Sequence, residues 1–134
     1  MNQGETNLQT VLDSLAVSCD NVEYGFAKNE SGDYTIPPGQ VLGTFRESEA
    51  LTIFAEVEVL KEHGLEYMGP LAKITIEVHT ALELVGLTAV LATKLGDSGI
   101  SANVVAAYYH DHIFVPYEDR ERAIRALLSL KTDN

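Results

Sequence analysis

The order of elements legible between Lys73 and Leu130 constrains this chain most: one strand, one helix, two strands and one helix follow each other with clear punctuation. Ile74, Ile76 and Val78 alternate with Thr75, Glu77 and His79, the period of a strand with one packed and one polar face. Leu84, Leu87, Leu91 and Leu95, with Val90 and Ala92 beside them, then follow helical spacing, and Lys94 suits the negative helix end. Gly96 and Gly99 are placed to stop that helix. Asn103 to Tyr109 and His112 to Tyr117 are rich in Val, Ile, Tyr and Phe, with only His110-Asp111 between them, so they read as a hairpin. Glu118 and Asp119 favour a helix start, and Ala123, Ile124, Leu127 and Leu130 supply its buried face. This order implies an open α+β sandwich.

The first half is less regular. Thr6 and Asn7 are N-cap candidates for a short helix whose Leu8, Val11, Leu12 and Leu15 form one apolar stripe. Val22 to Lys28 reads as a strand, with Tyr24 and Phe26 on one face and Gly25 and Ala27 on the other. Asn29 to Gly39 carries adjacent prolines at 37 and 38, which exclude a regular helix there, so it is a connector. Val41 to Phe45 and Leu51 to Ala55 are strands joined by the charged turn Arg46-Glu47-Ser48-Glu49, and Glu56 to His63 is a helix closed by Gly64. Gly69-Pro70 punctuates the chain before the second half. Strand, connection, hairpin and helix thus occur twice, the first time without a first helix. The expected division is an N-terminal helix over 1–21, a degenerate repeat over 22–69 and a second repeat over 70–134.

A chain of 134 residues is long enough to bury roughly two thirds of its unfolded surface. Hydrophobic residues at 46% and charged residues at 22% exclude wholesale disorder. A formal charge of -11 repels phosphate backbones and anionic lipid, so neither nucleic acid nor a membrane surface is expected as a partner. No apolar run reaches the roughly 18 residues that span a bilayer, and Met1-Asn2-Gln3-Gly4-Glu5 lacks the character of a secretory signal. A cytoplasmic protein is expected. Cys19 is the single cysteine, which leaves no internal disulfide and no cysteine-rich metal site, and reads as a small buried apolar residue.

The string VGLTAVLATKLGDSGISANVVAAYYHDHIFVP, from Val85 to Pro116, resembles the ACT domain, a small ferredoxin-like regulatory fold that senses amino acids. It is more closely similar to bacterial proteins with two ACT-like repeats in tandem. Gly86 at the helix start, Gly99-Ile100 at its end and Asn103 carry the resemblance, with His110 to Pro116 matching the hairpin. It covers Lys73 to Leu130, and Val22 to Leu65 as a degenerate copy. The first copy lacks its crossover helix, and Asn134 is reached without the sixth strand of the usual βαββαβ order, so that strand is absent, borrowed from the first half, or supplied by another chain. The resemblance implies two ferredoxin-like repeats sharing one antiparallel sheet, with helices mainly on one face.

A zwitterionic amino acid needs donors for its carboxylate and acceptors for its ammonium, and a strand-to-helix turn presents free N–H groups at the positive end of a helix dipole. Gly86 lets a ligand approach the main chain, and in an ACT-like arrangement the amide of Asn103 sits across from that turn. The expected pocket has Leu84, Val85, Gly86 and Leu87 on one side and Asn103 and Val104 on the other. Alternatively, Gly86 is only a tight turn and Asn103 only a hydrogen-bonder at a strand start.

Other constellations carry less. His110 and His112 share a strand face, and a metal would need a third ligand such as His79 or His63, while Asp111 suits a turn. Ser98, Ser101 and Cys19 lie in no nucleophile motif. Glu47 and Glu49, and the cluster Glu56, Glu58 and Glu62, read as solvated faces. Tyr24, Phe45, Phe54, Tyr108, Tyr109 and Phe114 read as sheet-face packing, with Tyr108 or Tyr109 reaching an interface. No cofactor and no enzymatic activity are expected. The expected function is a regulatory small-molecule-binding protein, its ligand an amino acid or similar molecule, acting in trans on a protein partner and forming a homodimer through open sheet edges. The alternative is an interaction module with a vestigial pocket.

Overall fold

The computed structural model describes residues 4–30, 36–78 and 86–132, with side chains from Leu8 onward. In chain order the elements are α1 (Gly4–Asp13), β1 (Ala16–Cys19), β2 (Tyr24–Asn29), β3 (Val41–Arg46), β4 (Leu51–Glu56), α2 (Val57–Glu62), β5 (Tyr67–Glu77), α3 (Leu87–Asp97), β6 (Asn103–Ala106), β7 (Asp111–Pro116) and α4 (Arg120–Leu128). All strand pairs are antiparallel, in one sheet of order β3-β4-β2-β5-β7-β6, with β1 also on β5.

The long strand β5 belongs to both repeats. Its first part, Tyr67 to Leu71, pairs with β2, and its second part, Leu71 to Ile76, pairs with β7 on the other side. The remaining edge of the second part, Ile74 to Glu77, pairs with β1. Each repeat therefore has one ferredoxin-like strand order, β5-β2-β4-β3 in the first and β1-β5-β7-β6 in the second. The fourth strand of the second repeat, the sixth element of its βαββαβ order, is borrowed from the N-terminal segment. Only Gly4–Asp13 of the segment expected as an N-terminal helix is α-helical, and Ala16–Cys19 was not foreseen as a strand. Gly69-Pro70 lies inside β5, the strand that the two repeats share.

Helix ends follow from glycine chemistry at two places. At the end of α3 the Ile100 N–H bonds the Leu95 carbonyl at 2.9 Å and the Gly99 N–H bonds the Gly96 carbonyl at 3.0 Å, with Gly99 at φ +76°. At the end of α2 the Leu65 N–H bonds the Leu60 carbonyl at 3.0 Å and the Gly64 N–H bonds the Lys61 carbonyl at 3.1 Å, with Gly64 at φ +68°. Both are Schellman closures, which place an apolar residue after the glycine against the last helical turn. Leu95 and Ile100 are accordingly both in the main core.

That core joins Leu12 and Leu15 to Ile74, Leu91, Val115 and Leu127, so α1, α3 and α4 all cover one face of the second repeat. A smaller core under α2 holds Ala27, Ile53, Ala55 and Leu60. Among the described residues no helix covers the opposite sheet face. Tyr24, Leu71 and Phe114 form a cluster there with Phe26 and Val105, and Phe26 stacks on Phe54 and Phe114 at centroid distances of 4.7 and 5.1 Å.

The hairpin differs from the sequence expectation in register. Ala106 pairs with Asp111, and the Ala107 N–H bonds the His110 carbonyl at 3.0 Å, so the turn is Ala107 to His110 and Asp111 opens β7. Tyr108 and Tyr109 sit on that turn, 92% and 83% exposed, instead of packing on the sheet.

Candidate functional site

The start of α3 is set by Gly86, whose φ of +95° is a left-handed conformation that a side chain resists. Among the described residues an added Cβ there would meet nothing within 4 Å, so the glycine serves the backbone bend. The Gly86 carbonyl already accepts from the Val90 N–H at 2.9 Å, while first-turn N–H groups of an α-helix have no partner within the helix. Leu87 turns inward and is buried in the main core. Thr88 lies on the other side of the bend, and its Oγ1 donates to Asp111 Oδ2 at 3.4 Å.

Asp111 therefore stands beside the start of α3, a position that a turn residue read from sequence would not have. The positive end of a helix dipole and a carboxylate are brought together at the end of the β6–β7 hairpin. Such an arrangement offers donors to an anion and an acceptor to a cation in one place.

Asn103 is elsewhere. It opens β6 opposite Phe114 and its Nδ2 reaches the Phe114 carbonyl at 3.5 Å, while Ala106 at the other end of β6 faces Asp111. Three residues of strand separate the two levels by about 10 Å. Opposed pairs share a face, so Asn103 lies on the helix-free face with Phe114, and Val104 packs against the main core opposite Ile113. Leu84 and Val85 lie outside the described residues. Of the expected set, Gly86 and Leu87 adjoin Asp111 through Thr88, and Asn103 and Val104 stand at the far end of the edge strand. Asp111 and Thr88 escaped sequence reading because their approach joins residues 23 positions apart.

The His110 and His112 ring centroids are 6.4 Å apart. His112 Nδ1 and Thr75 Oγ1 are 3.0 Å apart, a hydrogen bond whose donor depends on the imidazole tautomer. Burial holds the His112 pKa below its usual value, and the Lys73 charge adds to that effect. His63 caps the end of α2, and His79 lies outside the described residues. Among the described residues no group of three or more His, Cys, Asp or Glu side chains is arranged to hold a metal ion. Ser98 Oγ donates to the Lys94 carbonyl at 2.9 Å, and Cys19 is half-buried on β1 opposite Ile74. No helix among the described residues is long and apolar enough to cross a membrane.

Two ACT-domain family models match the sequence, one over residues 3–72 and one over residues 69–129. A protein of unknown function from Vibrio cholerae has a similar structure, with a TM-score of 0.83 and 39% identity over 96% of this chain and 99% of that one. The aspartate kinase of Clostridium acetobutylicum, an allosteric enzyme, is similar with a TM-score of 0.65 and 10% identity over 88% of this chain and 34% of that one. The regulatory subunit of aspartate kinase from Thermus thermophilus is similar with a TM-score of 0.57 and 13% identity over 87% of this chain and 98% of that one. No curated protein matches the sequence. The chain belongs to the ACT-domain family, and its fold is two ferredoxin-like repeats in tandem.

Proposed function

We propose that this ACT-domain chain is a regulatory protein that binds an amino acid, or a similar small zwitterion, at the start of α3 and acts in trans on a protein partner. One observation carries the reading: first-turn N–H groups behind the Gly86 bend suit a carboxylate, while Asp111, 3.4 Å from Thr88, suits an ammonium. Asn103 and Val104 sit on β6, an edge of the sheet, and in a homodimer joined at that edge they would come from the second copy. Action in trans is supported by the separate regulatory subunit of aspartate kinase, which shares the fold over nearly its whole length.

The test is a thermal-shift screen of the twenty amino acids, in which a ligand raises Tm with its concentration relative to Kd. At least one should stabilise the protein, and both Gly86→Val and Asp111→Asn should abolish the gain. A screen with no response would leave this reading without support.

A second reading, an interaction module with a vestigial pocket, is favoured by Tyr108 and Tyr109. Their rings stack edge to face at 4.9 Å and project at the hairpin tip almost wholly exposed. Such rigid aromatic pairs are effective contact groups at protein interfaces.

A further inference from the structure

The chain carries 20 Asp and Glu residues against 9 Lys and Arg, yet one groove has no carboxylate among the described residues that line it. It lies on the helix-free face, where the sheet curls until its two edge strands, β3 and β6, both line the same space of about 600 Å³. That volume lies inside the range of small-molecule sites. Leu42 and Phe45 form one wall and Val105 the other, and Phe54 and Phe114 line the groove between them. The groups able to carry positive charge in it are Lys73 and His112.

Lys73 makes one long ion pair within the chain. Its ammonium is 3.7 Å from Asp20, longer than a charge-assisted hydrogen bond of about 2.7–2.9 Å. Asp20 already accepts from the Tyr24 hydroxyl at 2.5 Å and the Val22 N–H at 3.1 Å. The ammonium has three donors and is held over the Tyr24 ring, 5.2 Å from its centre. His112 engages Thr75 through Nδ1, which leaves Nε2 as its other polar atom.

We propose that this groove binds a small organic carboxylate with an aromatic or branched apolar body and no ammonium group, the carboxylate on Lys73 and the body against Phe45, Phe54 and Phe114. A zwitterion is disfavoured here, since its ammonium would lie beside the Lys73 ammonium, and Asp20, the carboxylate paired with Lys73, already accepts from Tyr24 and Val22. The site is on the sheet face opposite α3, and the proposal does not rest on the amino-acid reading above.

The probe is 3-phenylpropanoate, titrated into the isotopically labelled full chain and followed by NMR, with 3-phenylpropanamide and phenylalanine as comparators. The acid should give saturable shifts on β3, β6 and β7, and should bind more tightly than either comparator. Lys73→Met should weaken it about tenfold or more, and Phe45→Ala, at a side chain 64% exposed, should weaken it as well. The proposal is overturned by no saturable shift at millimolar acid, by an amide that binds as tightly as the acid, or by unchanged affinity in folded Lys73→Met. If Lys73→Met does not fold, the Phe45→Ala variant and the amide decide. Shifts confined to residues 86–88 would also overturn it and would report instead on the start of α3.

Discussion

Lys131 Nζ donates to the Leu15 carbonyl at 2.8 Å, joining residues 116 positions apart and fixing the end of α4 to the residue that enters β1. Asp13 strengthens the tie by accepting from the Thr132 N–H at 2.7 Å and the Thr132 hydroxyl at 2.8 Å, and Gln9 Nε2 reaches the Leu130 carbonyl at 3.2 Å. In the usual order of this fold the chain after α4 would itself continue as the next strand. Here the same place beside β5 is filled by β1, and these bonds connect the two chain segments.

Asp13→Asn should therefore loosen the borrowed strand. The hydrogen bonds, led by the Thr132 N–H, hold the Asp13 pKa below the ordinary value of 3.8. A carboxylate with a depressed folded pKa stabilises fully above its unfolded value and loses that contribution as pH falls through the folded value. The variant should melt below the wild type at neutral pH, with the gap closing in strong acid. Hydrogen exchange should quicken first at Ala16 to Cys19.

Two glycines of positive φ should respond differently to alanine. At Gly86 an added Cβ meets none of the described residues, so Gly86→Ala should carry the left-handed backbone penalty of about 1–2 kcal/mol. At Gly69, with φ +143°, the Cβ would fall 2.8 Å from the Tyr24 carbonyl oxygen, a backbone atom of β2 that cannot move alone. Gly69→Ala should cost about 3 kcal/mol or more by urea denaturation. Equal losses at the two positions would contradict the close approach of β5 to β2.

The second repeat was readable because its periodicity is strong: Ile74 and Ile76, and Leu87, Leu91 and Leu95, are buried at the expected spacing. The strand Ala16–Cys19 gave no such signal, being four residues long with none fully buried, and only its pairing with β5 defines it. Gly69-Pro70 stands out in the sequence because proline donates no ladder hydrogen bond, and β5 passes through it with a register shift against β2. Tyr108 and Tyr109 have high strand propensity and drew the predicted turn toward His110-Asp111. At the candidate site the Gly86 bend was legible from the residue type alone. The approach of Asp111 was not, because it depends on how α3 lies across the hairpin.

The hairpin tip tests the interaction reading without disturbing the fold. Tyr108 and Tyr109 contact mainly each other and solvent, so replacing both with serine should change stability by no more than about 0.5 kcal/mol per site. If the tip is a docking surface, the double variant should shift the molar mass measured by light scattering, or abolish association with the partner, while its melting curve stays in place. An unchanged assembly would remove the tip from the interface.

His112 should give the fold a dependence on mild acid. Its folded pKa lies below the ordinary 6.5, chiefly through burial and then through Lys73, while Asp111 opposes the shift and His110 adds to it. The unfolded chain takes up a proton near 6.5 that the folded chain still refuses, so stability falls as pH drops below that value. The fall ends once the pH is below the folded pKa, where both states are protonated. Urea denaturation of wild type and His112→Gln at pH about 7.5 and about 5 isolates this contribution, because the other titrating groups are common to both. The wild type should lose more stability than the variant over that interval. A larger loss in His112→Gln would mean that the folded protein favours the imidazolium, contrary to the burial of this ring beside Lys73.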